Sequence, residues 1–98
     1  MTHKLESDIE REFASRVHQR GGLCLKWESP GWNGAPDRIL LLPEGKSAFL
    51  EFKQPGERPR PLQVKRHHQL RELGYLVYVV DNVECLDNIL KEVSQSCR

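Results

Sequence analysis

The segment PDRILLLPEGKSAFLEFK, residues 36–53, has the clearest structural pattern in this chain. Two short apolar runs flank the turn-forming segment Pro43–Gly45, and this pattern predicts two antiparallel strands joined by a tight connection. A turn centred on Glu44 would place residue i opposite residue 88 minus i, so that Asp37 faces Glu51. A shift of one residue in the turn would instead move Asp37 to the other face of the sheet.

Two carboxylates and an ammonium group would meet at this end of the hairpin, because Lys53 is two residues beyond Glu51 and shares its face. Carboxylates about 4 Å apart repel by roughly 4 kcal/mol at an effective dielectric near 20, which favours a shared proton or a bound cation. Oxygen ligands favour Mg²⁺ or Mn²⁺ over zinc. The structural alternative is a common Pro-Asp turn and a solvated Glu-x-Lys pair, but charges in so apolar a strand are costly when unpaired.

The remaining sequence predicts an α-β-β-β-α-β core and a C-terminal helix, in one α/β domain that spans residues 1–98. Apolar residues at helical spacing mark the first and last helices, and turn residues separate them from the strands. The predicted elements are a helix with the stripe Leu5, Ile9, Phe13 and Val17, a strand Leu23–Trp27, the hairpin, a helix Pro61–Gly74, a strand Tyr75–Val80 and a helix with Leu86, Ile89, Leu90 and Val93.

Composition narrows the class of protein. An apolar fraction of 38% in 98 residues supports one modest core. The chain has no run of eighteen apolar residues and no leader-like segment, so we expect a cytoplasmic protein without a membrane span. The three widely spaced cysteines, Cys24, Cys85 and Cys97, argue against a disulfide framework or a zinc knuckle, and we expect them to be reduced.

The net charge of +1 conceals a basic segment at residues 53–71, where six Lys or Arg residues accompany one acid and give a local charge of +5. Such a run is often a solvated helix face, but here it directly follows the Glu-x-Lys strand, where a polyanion would approach. We place His67 and His68 on the solvent or nucleic-acid side. The candidate nucleic-acid-binding residues are Lys26, Arg38, Arg58, Arg60, Lys65, Arg66 and His67, although an arginine such as Arg38 at a strand edge more often forms a surface ion pair.

Taken in order, the short motifs of the chain resemble the VRR-Nuc domain, a virus-type replication-repair nuclease module of the PD-(D/E)xK superfamily, in its short stand-alone phage form. The resemblance extends from about Ile9 to Asp81 and is carried by GG (21–22), KWESPG (26–31), GAPDR (34–38), LLP (41–43), EFK (51–53) and RPLQ (60–63). It implies a restriction-endonuclease-like fold with a mixed sheet flanked by helices, a Mg²⁺ or Mn²⁺ cofactor, a DNA substrate and a bacterial or phage-infected host cell.

The resemblance also assigns residues to the site. It brings Glu10 of the first helix to the metal beside Asp37 and Glu51, with Glu6 as the alternative, and it adds the backbone carbonyl of Phe52 as a ligand. Glu10 could instead complete a capping box with Ser7. Gln63 at the start of the second helix could be solvent-exposed, but helical spacing puts it on the same side as Leu70, and the resemblance makes it a site residue.

Three functions of different class remain, and the first is the one that the VRR-Nuc resemblance implies. The first is a metal-dependent DNA endonuclease that cuts branched DNA, resembling Holliday-junction resolvases, and acts as a homodimer. The second is a nuclease without junction preference, such as a flap or nicking enzyme that works with a replication or repair partner. The third is a noncatalytic DNA-binding module, against which the complete set of Asp37, Glu51 and Lys53 argues.

Overall fold

The computed structural model describes residues 6–96, and Leu5 and Cys97 of the sequence analysis lie outside the described residues. The elements follow one another in the predicted order, helix, three strands, helix, strand and helix. Their bounds are α1 Glu6–Gln19, β1 Leu23–Lys26, β2 Arg38–Leu42, β3 Lys46–Phe52, α2 Pro61–Glu72, β4 Val77–Val80 and α3 Leu86–Ser94, with a short 3₁₀ turn at Pro43–Gly45 between β2 and β3.

The hairpin has the predicted register. Arg38 pairs with Leu50 and Leu42 pairs with Lys46, so paired residue numbers add up to 88 along the whole ladder. The three-residue connection is closed by Glu44, which adopts a left-handed conformation with φ of 68°. Because this register is maintained up to Arg38, the chain enters β2 with Asp37 beside the end of β3.

The four strands form one mixed sheet in the order β1-β2-β3-β4, antiparallel except for the parallel pair β3 and β4. One face packs against α1 and α3 and forms the main core. In that core the rings of Phe13 and Phe52 pack edge to face, with their centroids 5.7 Å apart. Such a ring pair stabilises a fold by about 0.5–1.5 kcal/mol more than the burial of its apolar surface alone. Helix α2 is the crossover between β3 and β4 and covers part of the other face.

The predicted helical stripes are buried. Ile9, Phe13 and Val17 of α1 and Leu86, Ile89, Leu90 and Val93 of α3 all belong to the core. Two Schellman motifs end α1 and α2: the N–H groups of Gly22 and Tyr75 donate to the carbonyls of Val17 and Leu70. Each motif has a glycine at the left-handed position, with φ of +77° at Gly21 and +97° at Gly74.

The ends of several elements differ from prediction: β1 ends at Lys26 rather than Trp27, and α2 ends at Glu72 rather than Gly74. β4 begins at Val77 rather than Tyr75, because the N–H of Tyr75 is part of the motif that ends α2. Ser7 does not cap α1, because the chain is already helical at Glu6. Within residues 6–96, no helix is long and apolar enough to cross a membrane.

Candidate active site

Asp37 lies where β1, β2 and β3 meet. Its backbone carbonyl accepts from the N–H of Trp27 at 2.9 Å, and its backbone N–H donates to the carbonyl of Leu50 at 3.1 Å. The side-chain Oδ1 accepts from the N–H of Phe52 at 3.4 Å. Asp37 is therefore held by backbone contacts to both neighbouring strands, and its carboxylate lies against the end of β3.

The surroundings of the Asp37 carboxyl disfavour its ionised form. Burial and then the nearby negative charge of Glu51 raise its pKa from 3.8 to about 7, with further contributions from Glu10 and Glu6. The hydrogen bond from Phe52 acts in the opposite direction but does not offset them. A half-buried carboxyl whose neighbours are mainly acids is a typical place for a proton or a cation.

Glu51 is almost fully buried, with 3% of its surface exposed. Helix α2 contacts both of its oxygens: Nε2 of Gln63 donates to Oε2 at 3.2 Å, and Nε2 of His67 lies 3.3 Å from Oε1. Gln63 is itself oriented at the start of α2, where its Oε1 accepts from the N–H of Arg60 at 2.8 Å. A buried carboxylate requires such partners, because leaving one unpaired costs several kcal/mol.

Lys53 follows directly after β3 and is also buried, with 8% of its surface exposed. Its backbone N–H donates to the carbonyl of Val80 at 2.9 Å. Its positive charge lies close enough to Glu6 to lower the pKa of that carboxyl. Burial and the charges of Glu10, Glu57 and Glu51 outweigh this effect, so the pKa of Glu6 is raised overall. The structure therefore brings Glu6, the alternative first-helix acid, into the same electrostatic environment as the hairpin residues.

Glu10 is held by an ion pair. Its Oε2 accepts from Nε of Arg38 at 3.2 Å, and both side chains are partly buried. Glu10 therefore takes no part in a capping box with Ser7, and it does not point freely into the site. Arg38, predicted as a phosphate contact with an ion pair as the alternative, forms the ion pair, which joins α1 to β2 beside Asp37.

The placement of His67 on the solvent or nucleic-acid side is wrong. His67 is 2% exposed and lies on the buried side of α2 with Gln63 and Leu70. Its ring contacts Glu51 rather than solvent. The physical reason is the packing of α2 on β3, which turns residues at positions i, i+4 and i+7 toward the sheet. His68, which points outward, matches its predicted placement.

Of the other residues predicted to bind DNA, four are exposed and Arg66 is partly buried. Lys26, Arg58, Arg60 and Lys65 are exposed. Arg66 is partly buried and has structural contacts: its guanidinium lies 4.8 Å from the centre of the Trp32 ring, and its Nε donates to the carbonyl of Asn33 at 2.7 Å. Arg66 thereby fastens the loop before Asp37 to α2, with Gly34 packed closely against Leu62 of the same helix.

An open cleft of about 380 Å³ lies beside Asp37 and is bounded by the loop that Arg66 holds. Its walls include both tryptophans and the residues that lead into β2. The lining residues are Trp27, Glu28, Ser29, Pro30, Trp32, Gly34, Ala35, Pro36 and Asp37. The Asp37 end of the site is therefore open to solvent.

Comparison with known proteins identifies the family of this site. A phage protein named "Putative nuclease p44", from Acyrthosiphon pisum secondary endosymbiont phage 1, is 44% identical over 89 residues, which are 91% of this chain and 95% of that protein. A solved structure titled "VRR_NUC domain" superposes with a TM-score of 0.81 at 31% identity and covers 92% of this chain and 97% of that one. No family model matches the chain.

The chain belongs to the VRR-Nuc family. The VRR-Nuc resemblance found in the sequence is confirmed, and so is the mixed four-stranded sheet with helices on both faces. Two features of the site in this VRR-Nuc fold were not predicted from the sequence. One is the contact of His67 with Glu51, which the shared helical face of Gln63, His67 and Leu70 could have indicated. The other is the Trp32–Arg66 contact, for which the sequence contains no signal because the two residues are far apart in the chain.

Proposed function

We propose that this VRR-Nuc protein is a metal-dependent DNA endonuclease that hydrolyses phosphodiester bonds at the site formed by Asp37, Glu51 and Lys53. The observation that carries the proposal is the half-buried Asp37 carboxyl, whose pKa is raised to about 7 by burial and by Glu51. A half-buried and a buried acid beside a buried lysine are costly to maintain in a fold. The relationship to a phage protein named as a nuclease supports the same activity.

The residues present fit a hard divalent cation, Mg²⁺ or Mn²⁺. All the side-chain donors are oxygens, and the Asp37 carboxyl has acids rather than a cationic partner as its main charged neighbours. Within residues 6–96, no three His, Cys, Asp or Glu side chains are grouped so that they could hold a metal ion. Mg²⁺ commonly takes only one or two carboxylates and keeps several waters, so Asp37 and Glu51 would suffice.

Each residue then has a proposed role. Asp37, Glu51 and the Phe52 carbonyl would hold the cation, and Glu10 would join directly or through water once it separates from Arg38. When bound, the cation would polarise the scissile phosphate and lower the pKa of an attacking water. Lys53 would stabilise the negative charge that develops on the phosphate, or accept a proton from the water.

Gln63 would keep Glu51 in place through its hydrogen bond at 3.2 Å. The exposed basic residues at the end of β1, in the loop after β3 and on α2 would bind the DNA backbone, a contact that is independent of sequence and weakens with salt. These residues are Lys26, Arg58, Arg60 and Lys65. Arg66 would contribute indirectly, by holding the loop before Asp37 through the carbonyl of Asn33. We expect the reaction to take place in the cytoplasm of a bacterial or phage-infected cell.

We propose branched DNA as the substrate and a homodimer as the active form, because two symmetric cuts in a four-way junction require two sites. The exposed edge of the sheet supports an association of this kind. Leu23 and Leu25 of edge strand β1 are 56% and 44% exposed, and Leu41 of β2 lies beside Leu23 on the same face. Burying leucines at an edge strand is a common way of pairing two sheets.

The test is cleavage of a labelled four-way junction, a flap and a linear duplex with Mg²⁺, Mn²⁺ or EDTA, by the wild type and by Lys53→Met. We expect cleavage of the junction with either metal, none with EDTA, and a loss of about a hundred- to a thousandfold in Lys53→Met. Lys91→Met, at an exposed position of α3, is the matched control and should cut normally. Equal cleavage of flap and duplex would favour the nuclease without junction preference. Normal cleavage by a folded Lys53→Met would contradict the assigned site.

A further inference from the structure

Helix α2 fixes the Glu51 carboxylate from one side with two residues one turn apart. Gln63 contacts Oε2 at 3.2 Å, and His67 contacts Oε1 at 3.3 Å. His67 is 2% exposed, so its ring has neither solvent nor DNA within reach. A polar ring at this depth, in contact with a carboxylate of the proposed site, acts on that carboxylate.

The direction of the His67 contact follows from the chemistry of the two groups. A carboxylate that holds a cation is ionised and only accepts hydrogen bonds, so in the proposed site Nε2 of His67 carries the hydrogen and donates it to Oε1 of Glu51. With the other tautomer, two lone pairs would face each other in a buried place. A carboxylate has about four acceptor positions, and Gln63 and His67 together use two of them. A cation shared with Asp37 would use the remaining positions.

We propose that His67 is a positioning residue, which holds the Glu51 carboxylate in the rotation needed to share a divalent cation with Asp37. The inference rests on the proposed function, since it concerns the same cation. His67 never touches the cation or the DNA, and it acts only through Oε1 of Glu51. Loss of a residue that hydrogen-bonds to a metal ligand typically lowers metal affinity or activity 10- to 100-fold.

Neighbouring histidines on α2 provide a matched experiment. His67→Leu removes the donor and keeps most of the buried volume, while His68→Leu makes the same change at a side chain that is 73% exposed. His67→Gln keeps a side-chain N–H donor. Mn²⁺ binding to each protein, without DNA, is measured by titration calorimetry, and folding is measured in parallel by urea denaturation in EDTA.

We expect His67→Leu to bind Mn²⁺ 10- to 100-fold more weakly than wild type, His68→Leu to bind as wild type, and His67→Gln to recover to within about threefold. A folded His67→Leu with wild-type Mn²⁺ affinity would overturn the role of His67, while the metal site itself would stand. Absence of Mn²⁺ binding in the wild type would instead overturn the proposed function.

A second measurement does not depend on the folding of His67→Leu. Long-range ¹H–¹⁵N NMR spectra of the wild-type protein report which ring nitrogen of His67 carries hydrogen. We expect hydrogen on Nε2 both without metal and with saturating Mg²⁺, because the contact with Glu51 is maintained in both states. A bare Nε2 in either state would contradict the inference, since that nitrogen could not donate to Glu51.

Discussion

Asp37→Asn should stabilise the metal-free protein at neutral and alkaline pH. The substitution keeps the shape of the side chain and the acceptor for the N–H of Phe52, but it removes a charge that burial and Glu51 oppose. Each pKa unit corresponds to about 1.4 kcal/mol, so a rise from 3.8 to about 7 corresponds to about 4 kcal/mol at most. Because Asp37 is only partly buried, we halve this value for solvent screening, to about 2 kcal/mol.

The sign of the pH dependence follows from the raised pKa. Folded wild type binds the Asp37 proton more tightly than the unfolded chain does, so its stability falls as the pH rises from 3.8 through 7 and levels off above that range. The stability of Asp37→Asn does not fall in this way, because asparagine does not ionise. The difference between the two proteins should be near zero below pH 4 and reach about 2 kcal/mol by pH 8.

Urea denaturation in EDTA, at intervals from pH 4 to pH 9, measures this difference. Asp87→Asn is the matched control, because Asp87 is exposed and pairs with Arg16 at 3.3 Å and Arg20 at 3.4 Å on the surface. We expect that control to lose at most about 1 kcal/mol, with the opposite sign. Mg²⁺ should stabilise the wild type but not Asp37→Asn. A constant difference across the pH range would refute the assignment of strain to Asp37.

Three further substitutions test the fold and the DNA surface. Leu50→Ala should lower the free energy of unfolding in urea by about 2–5 kcal/mol, because Leu50 is fully buried between the sheet and the helices; a loss under 1 kcal/mol would contradict that packing. Glu44→Gly should raise the same free energy by up to about 1 kcal/mol, because glycine tolerates the φ of 68°, and a clear destabilisation would argue against the turn. Lys65→Ala should reduce the slope of log Kd against log salt concentration for DNA by about 0.9, if measured by anisotropy, and an unchanged slope would remove Lys65 from the interface.

The hairpin could be predicted from the sequence because its register depends on local information. The turn at Pro43–Gly45 sets an odd connection length, and the alternation of Leu40 and Leu42 with exposed positions shows which face is buried. Together these determine that Asp37 is next to Glu51. The same reasoning predicted the buried stripes of α1 and α3, since a helical period needs no knowledge of the partner surface.

The contacts that cross between elements could not be predicted in the same way. The pairing of Glu10 with Arg38 depends on how α1 docks on the sheet. Helical spacing places His67 on the buried face of α2, but its pairing with Glu51 depends on how α2 docks, and both docking angles come from the whole core. The later start of β4 has a local cause, because Gly74 leaves α2 through a motif that uses the N–H of Tyr75. An apolar run alone does not reveal where such a motif ends.

A crystal structure of the wild-type protein grown with Mn²⁺, with data collected for anomalous scattering from manganese, would locate the proposed cation. We expect a single strong anomalous peak between the carboxylates of Asp37 and Glu51, next to Lys53, with Gln63 and His67 still bonded to Glu51. A crystal containing Mn²⁺ with no peak at these carboxylates, or with its peak elsewhere on the molecule, would contradict the proposed cation site.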